Sequence, residues 1–146
     1  MELNDLYSER ILEIAGNLPA MPRLAQPQAT ARRVSRVCGS EVEVDLSLTG
    51  GRVSDFGYQV HACALGQTSA AIVASNIVGS TPDELRTLRT QMVAMLKAGG
   101  PPPGGKWSDL KYLEPVRGYK PRHASTLLVF EAVVDCLDQI DLQRAS

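Results

Sequence analysis

Apolar and polar residues alternate most cleanly between positions 41 and 48. Val42, Val44, Leu46 and Leu48 point one way and Glu41, Glu43, Asp45 and Ser47 the other. A period of two is that of a strand with one packed face. Thr49-Gly50-Gly51 reads as a tight turn, since glycine adopts the backbone conformations such turns need. Residues 52–61 return as a second strand with Val53, Phe56, Tyr58 and Val60. The apolar phase slips between Val53 and Phe56, which predicts a bulge near Asp55.

Elsewhere the period is helical. Leu3, Leu6, Tyr7, Ile11, Ile14 and Leu18 predict an amphipathic helix over 3–18, ended around Gly16 and Pro19. Residues 63–77 are rich in Ala and Ser, so a helix there can lie close to a sheet, with Leu65, Ile72, Val73 and Ile77 inward and Gly79 as its stop. Thr81, Pro82 and Glu84 spell a helix start with a capping box. That helix runs to about Lys97 and buries Leu85, Leu88, Met92, Met95 and Leu96. A last helix is expected over about 123–140, with Leu127, Phe130, Val134 and Leu137 inward.

The stretches between are less regular. Pro19, Pro22 and Pro27 make 19–31 a connector, and Val34 to Val37 a short strand. The run A-G-G-P-P-P-G-G-K at 98–106 reads as a surface insertion and lacks the spacing and terminal Ser/Thr of a phosphate loop. Leu110, Leu113 and Val116 predict a short helix. The expected architecture is α+β, a small three-stranded, mainly antiparallel sheet with helices packed on one face. It forms one domain over 1–146, with an N-terminal helix and arm (1–33) and the Gly/Pro-rich insertion (98–106).

Charge narrows the field. Fifteen basic residues face sixteen acidic ones in 146 residues, which gives no electrostatic footprint for nucleic acid. No apolar run approaches the ~20 residues that span a bilayer, and the start M-E-L-N-D-L lacks a signal peptide's basic region. The expected compartment is cytoplasmic. Three cysteines do not make a secreted disulfide framework.

Chemistry concentrates on two of those cysteines. Cys38 precedes the alternating strand beside Gly39. Cys63 lies 25 residues on, where a strand gives way to a helix and unpaired amide hydrogens attract an anion. Two neighbouring thiols can hold a metal, accept sulfur or bond to each other. His61, two residues before Cys63, and His123, at the start of the last helix, are candidate additional metal ligands. The other reading of each is a solvated or hydrogen-bonded side chain. Cys136, among Val133, Val134 and Leu137, reads as a packing residue.

With Cys38-Gly39 leading into E-V-E-V-D-L, G-G-R-V-S-D-F, H-A-C-A-L-G-Q-T-S-A-A, V-G-S-T-P-D-E-L and P-R-H-A-S on the page, the chain resembles the iron–sulfur cluster assembly scaffold family (IscU, the NifU N-terminal domain, SufU) over about 34–139. Its SufU branch is nearest. Members of that family place three cysteines and an aspartate around zinc or a nascent cluster. By the motif these positions fall on Cys38, Ser40 (for the aspartate), Cys63 and Ser125 (for the third cysteine). Two of four ligands are therefore replaced by serine, whose hydroxyl hardly ionises near neutrality. I-L-E-I-A-G-N-L-P-A-M-P is similar to the early segment of the SufE sulfur acceptors, in which one cysteine takes persulfide from a desulfurase.

The resemblance implies a scaffold or sulfur carrier rather than a turnover enzyme. The first expectation is a scaffold-like protein that binds iron, zinc or a labile iron–sulfur cluster through Cys38 and Cys63 with help from Ser125, His123 or His61. The alternatives are a sulfur acceptor that carries persulfide on Cys38 or Cys63, and a metal-free regulator of a cysteine desulfurase. The implied partners are a cysteine desulfurase and other cluster-assembly proteins, with no nucleic acid and no membrane. The chain itself is expected to be a monomer or weak oligomer.

Overall fold

The computed structural model describes residues 7–145. Its order is α1 (Glu9–Ala15), β1 (Ala29–Val34), β2 (Glu41–Thr49), β3 (Arg52–His61), α2 (Ala64–Asn76), α3 (Pro82–Lys97), a 3₁₀ segment (Gly105–Gly118), a short 3₁₀ turn (Lys120–Arg122) and α4 (His123–Ala145). The three strands form one antiparallel sheet in chain order. Helices α2 and α4 cover one face of it, α1 packs on α2, and α3 on α4. This is the expected α+β layering.

The alternating strand behaves as its pattern requires on one side. Val42, Val44 and Leu46 are fully buried, opposite Val60, Tyr58 and Phe56. The bulge falls one residue from its expected place. Ser47 pairs with Asp55 and Leu48 with Val53, so Ser54 is the extra residue. The other face is not simply open to water. Asp45 is 1% exposed because the proline-rich arm crosses over it. Arg23 donates to its carboxylate through Nε (2.6 Å) and Nη2 (2.9 Å), Leu24 N at 2.9 Å and Thr30 Oγ1 at 2.8 Å. Gly57, opposite Asp45, makes the crossing feasible, since a Cβ there would collide with Pro22 O and Arg23 Cα.

Four expectations need correction. The first strand is Ala29–Val34, not 34–37, and residues 36–38 are turn. Its inward residues are only Ala29 and Ala31, so its apolar signal is faint, and small side chains are what lets α4 lie against it. Helix α1 is shorter than 3–18. Ser8 caps it by accepting from Ile11 N (3.2 Å) and Gly16 closes it, while Leu3 and Leu6 lie outside the described residues. The short helix around Leu110 is a long 3₁₀ segment. Trp107, Leu110, Leu113 and Val116 recur every third residue and are all buried, which matches three residues per turn. In α4, Val133 takes the buried place expected of Val134, and the helix runs on to Ala145.

Helix α3 follows its signals. Thr81 Oγ1 accepts from Glu84 N (3.2 Å), Pro82 opens the helix, and Leu85, Leu88, Met92, Met95 and Leu96 are buried. Residues 98–104 are irregular and lead into the 3₁₀ segment at Gly105, but they are not merely decoration. Gly100 N closes onto Ala94 O (2.9 Å), Pro103 is buried, and Lys106 Nζ reaches Ser80 Oγ (2.6 Å). Among the described residues no helix is long and apolar enough to cross a membrane.

Candidate two-thiol site

Both candidate thiols lie beyond the same end of the sheet. Glu41 and His61 are its last paired residues there. Cys38 sits three residues before Glu41, on the connection from β1, and Cys63 two residues after His61. The Cys38 connection is tied off by Ser35 N to Ser40 O (2.8 Å) and Gly39 N to Ser35 O (2.9 Å). Gly39 has φ +71°, a left-handed conformation in which a side chain would be strained. Ser35 and Ser40 are buried and turn their hydroxyls to the thiol.

Cys38 Sγ lies 2.9 Å from Ser40 Oγ and 3.6 Å from Ser35 Oγ. Burial pushes this thiol's pKa up. Hydrogen bonds from the Ser40 and Ser35 hydroxyls, the Ser40 backbone N–H and the Ser125 hydroxyl outweigh burial and bring it down to about 7.

Cys63 is the N-cap residue of α2, with extended backbone and no side-chain hydrogen bond to the cap. Its Sγ is 3.6 Å from Ser125 Oγ, in the first turn of α4. That neighbourhood depends on Gly66. A Cβ there would stand 2.8 Å from Ala62 Cβ and 3.1 Å from Ser125 O, so only glycine lets the first turns of α2 and α4 approach this closely. Ser125, 1% exposed, donates to Arg122 O (3.2 Å), touches Cys63 and contributes last among the groups that lower the Cys38 thiol.

Tyr7 and Arg122 complete the surroundings. Burial raises the Tyr7 hydroxyl's pKa, the negative charge of Cys63 adds to that, Arg122 opposes it, and Tyr119 and Cys38 add further. Arg122 Nε is buried without a hydrogen-bond partner. Sequence reasoning did not single out Ser35 or Tyr7. The spacing S-x-x-C-x-S around Cys38 was the available signal for Ser35; nothing local marks Tyr7.

The two histidines go elsewhere. His123 is buried with Nε2 at 3.0 Å from Val116 O and 3.2 Å from Arg117 O, so it ties α4 to the end of the 3₁₀ segment. His61 is exposed on the sheet's polar face, with Nε2 at 3.2 Å from Gln59 Nε2. Cys136 is fully buried against Val44 O (3.8 Å), and burial pushes its pKa up to about 12. Among the described residues no three His, Cys, Asp or Glu side chains are grouped to hold a metal ion.

No family model matches the chain. Its likeness to solved proteins is close. Over 97% of its length it superimposes on 98% of a nitrogen-fixing NifU-like protein (N-terminal) from Brucella abortus, with a TM-score of 0.93 and 52% identity. The chain belongs to the IscU/NifU/SufU family. Another relative is the iron–sulfur cluster assembly scaffold protein IscU of Thermotoga maritima, 23% identical over 92% of this chain and 94% of that protein. A SUF-system scaffold candidate (FiSufU) from Fervidobacterium islandicum AW-1 shares the fold, with a TM-score of 0.84 at 20% identity over 93% of this chain and 99% of that one.

The donor set falls short of the ligands that the resemblance implied. Zinc prefers four ligands drawn from thiolate, imidazole and carboxylate. At one end of the sheet this chain sets Cys38 beside the neutral hydroxyl of Ser40 and Cys63 beside that of Ser125. Two anionic ligands are missing, and neither histidine is grouped with the thiols to replace them. The set does not fit a four-coordinate metal held by this chain alone. It does suit thiol chemistry, which needs a thiolate and donors to stabilise it.

Proposed function

We propose that this member of the family takes up and holds sulfane sulfur for iron–sulfur cluster assembly, with Cys38 as the accepting thiolate and a cysteine desulfurase as the donor. One observation carries the reading. Cys38 is brought down to about 7 by surrounding hydroxyls, in a site where no third ligating side chain stands by among the described residues. Near neutral pH a large share of such a thiol is thiolate, the nucleophilic form. Cys38 Sγ attacks the outer sulfur of the donor's persulfide. A sulfur–sulfur bond forms at Cys38, the bond to the donor cysteine breaks, and that cysteine leaves as its thiolate. Ser40 and Ser35 hold the attacking sulfur and Ser125 stands between it and Cys63. A reducing cytoplasm keeps both thiols available for this role.

A second reading is transient holding of iron, zinc or a labile cluster, supported by kinship and by the pairs Cys38–Ser40 and Cys63–Ser125 at one end of the sheet. The two readings separate on protein purified without chelator or added metal. Incubation with a desulfurase and cysteine is expected to add one sulfur per chain, lost in Cys38→Ala, to protein with negligible zinc, iron or sulfide beforehand. About one metal per chain, removed by Cys38→Ala, would favour the second reading. Modulation of the desulfurase by a chain with Cys38 and Cys63 both replaced would instead make it a regulator.

A further inference from the structure

We propose that Cys63 is a resolving thiol, which releases the sulfur carried by Cys38 as hydrosulfide and leaves a Cys38–Cys63 disulfide. This rests on the sulfur-acceptor reading and adds what becomes of the sulfur. The argument begins with placement. Both cysteines leave the same end of the sheet, from either side of the paired residues Glu41 and His61. One hydroxyl, Ser125 Oγ, lies 3.6 Å from Cys63 Sγ and is also among the groups that lower the Cys38 thiol. Among the described residues only this hydroxyl is hydrogen-bonded to Cys63 Sγ, which caps α2 without a hydrogen bond of its own to the helix.

The contacts choose the atom attacked. Ser35 and Ser40 bond the sulfur attached to Cys38 Cβ, so that inner sulfur is the one held in place, at the end of the sheet it shares with Cys63. Attack there forms the Cys38–Cys63 bond and breaks the bond to the outer sulfur. The outer sulfur of the perthiolate leaves with the electron pair, takes the Cys63 thiol proton, and departs as HS⁻. The persulfide is the oxidant, so none is needed from outside. The product disulfide is returned to two thiols by a dithiol reductant.

Closure calls on movement of the connection that carries Cys38. Bridged cysteines need Cα atoms about 4.4–6.8 Å apart. Gly39 stands next to Cys38 in an open connection, where even an added Cβ would meet nothing within 4 Å. The third cysteine takes no part, being fully buried behind β2. A fixed metal between the thiols would prevent the reaction, and the donor set does not fit one.

The test loads the full-length chain with sulfur from glutathione persulfide, removes the donor, and follows intact mass and free sulfide together. Wild-type protein is expected to gain one sulfur, then lose it with two hydrogens as a Cys38–Cys63 disulfide appears in the peptide map. Sulfide release should match disulfide formed and run at least ~10-fold faster than in Cys63→Ser, because the second thiol acts intramolecularly. Cys63→Ser should keep its sulfur on Cys38; serine is itself a good N-cap, so α2 is preserved. Sulfur that stays on Cys38 equally long in both proteins overturns the inference and leaves the acceptor reading standing. Sulfur that moves to Cys63 without sulfide release also overturns it, since the outer atom was then attacked. Failure of both proteins to gain sulfur overturns both.

Discussion

Replacing Ser40 by alanine isolates the interaction that most lowers the Cys38 thiol. Ser40 Oγ is 2.9 Å from the sulfur and its side chain is buried, whereas Ser35 Oγ is at 3.6 Å. A hydrogen bond to a charged group is worth about 1.5–3 kcal/mol net. At 1.36 kcal/mol per pKa unit, its loss raises the thiol by about one to two units. Cys38 should therefore move from about 7 most of the way back to its ordinary value of 9.0. Alanine keeps the Cβ, and the Ser40 carbonyl still accepts from Ser35 N, so the connection should hold its shape. The assay is the rate of alkylation by iodoacetamide against pH, in a Cys63→Ser background so that Cys38 is the reporter; Cys136 is sealed in the core. The midpoint should rise by at least about one unit, and the rate at pH 7 should fall by roughly tenfold. A midpoint unchanged in a folded Ser40→Ala protein would refute the reasoning, because the thiolate would then owe nothing to the hydroxyl at 2.9 Å.

Other expectations follow from the same geometry. Gly66→Ala gains about 1 kcal/mol of helix propensity but loses more to overpacking at Ala62 Cβ and Ser125 O, about 1–3 kcal/mol. Chemical denaturation should show net destabilisation, and a more stable variant would contradict the close approach of α2 and α4. Asp45→Asn should cost about 2 kcal/mol by leaving Arg23 and its neighbours imperfectly paired, less than for a fully buried pair because Arg23 is 38% exposed. Burial pushes the Asp45 carboxyl up, but Arg23, Thr30 and Leu24 N bring it below its ordinary 3.8. Its contribution is thus complete above that value and is lost as pH falls through the lower folded value. Urea midpoints from pH 6 down to pH 2 should fall less steeply in the variant. Restoring two ligands with Ser40→Asp and Ser125→Cys should create a zinc site of roughly one ion per chain, measured by metal analysis after dialysis. A variant as metal-poor as the parent would show that something besides the donor set excludes metal.

The sequence made much of this molecule legible wherever packing has a strong period. Strand β2, the Gly50-Gly51 turn, α3 with its Thr81 cap and the close-packed α2 all follow from side-chain pattern and capping chemistry. Strand β1 was hidden because its core contribution is two alanines, and the prolines before it suggested irregular chain. The 3₁₀ segment was half legible, since Leu110, Leu113 and Val116 were recognised but their spacing of three was not taken as a period. Asp45 looked like a solvent-facing residue because alternation cannot reveal an arm from 20 residues earlier.

At the site, Cys38 and Cys63 were visible as residue types; sheet register puts them at one end of the sheet, and Gly66 lets Cys63 reach Ser125. The histidines carry an ambiguous signal for a chemical reason. Imidazole is an apt metal ligand, but it also satisfies buried carbonyls, and His123 does that at Val116 and Arg117. The hydroxyls around Cys38 carry little signal in sequence, because serine is common and its partners are decided by a turn that brings Ser35 and Ser40 together.

The central claim is that Cys38 is a poised sulfur acceptor. It is tested most directly by peptide-mapped mass spectrometry of the wild-type chain after one desulfurase turnover at pH 7, with persulfides trapped by alkylation. The account predicts a single added sulfur, initially on Cys38 and absent from Cys136. A chain whose Cys38 stays unmodified while the desulfurase demonstrably carries persulfide would contradict it.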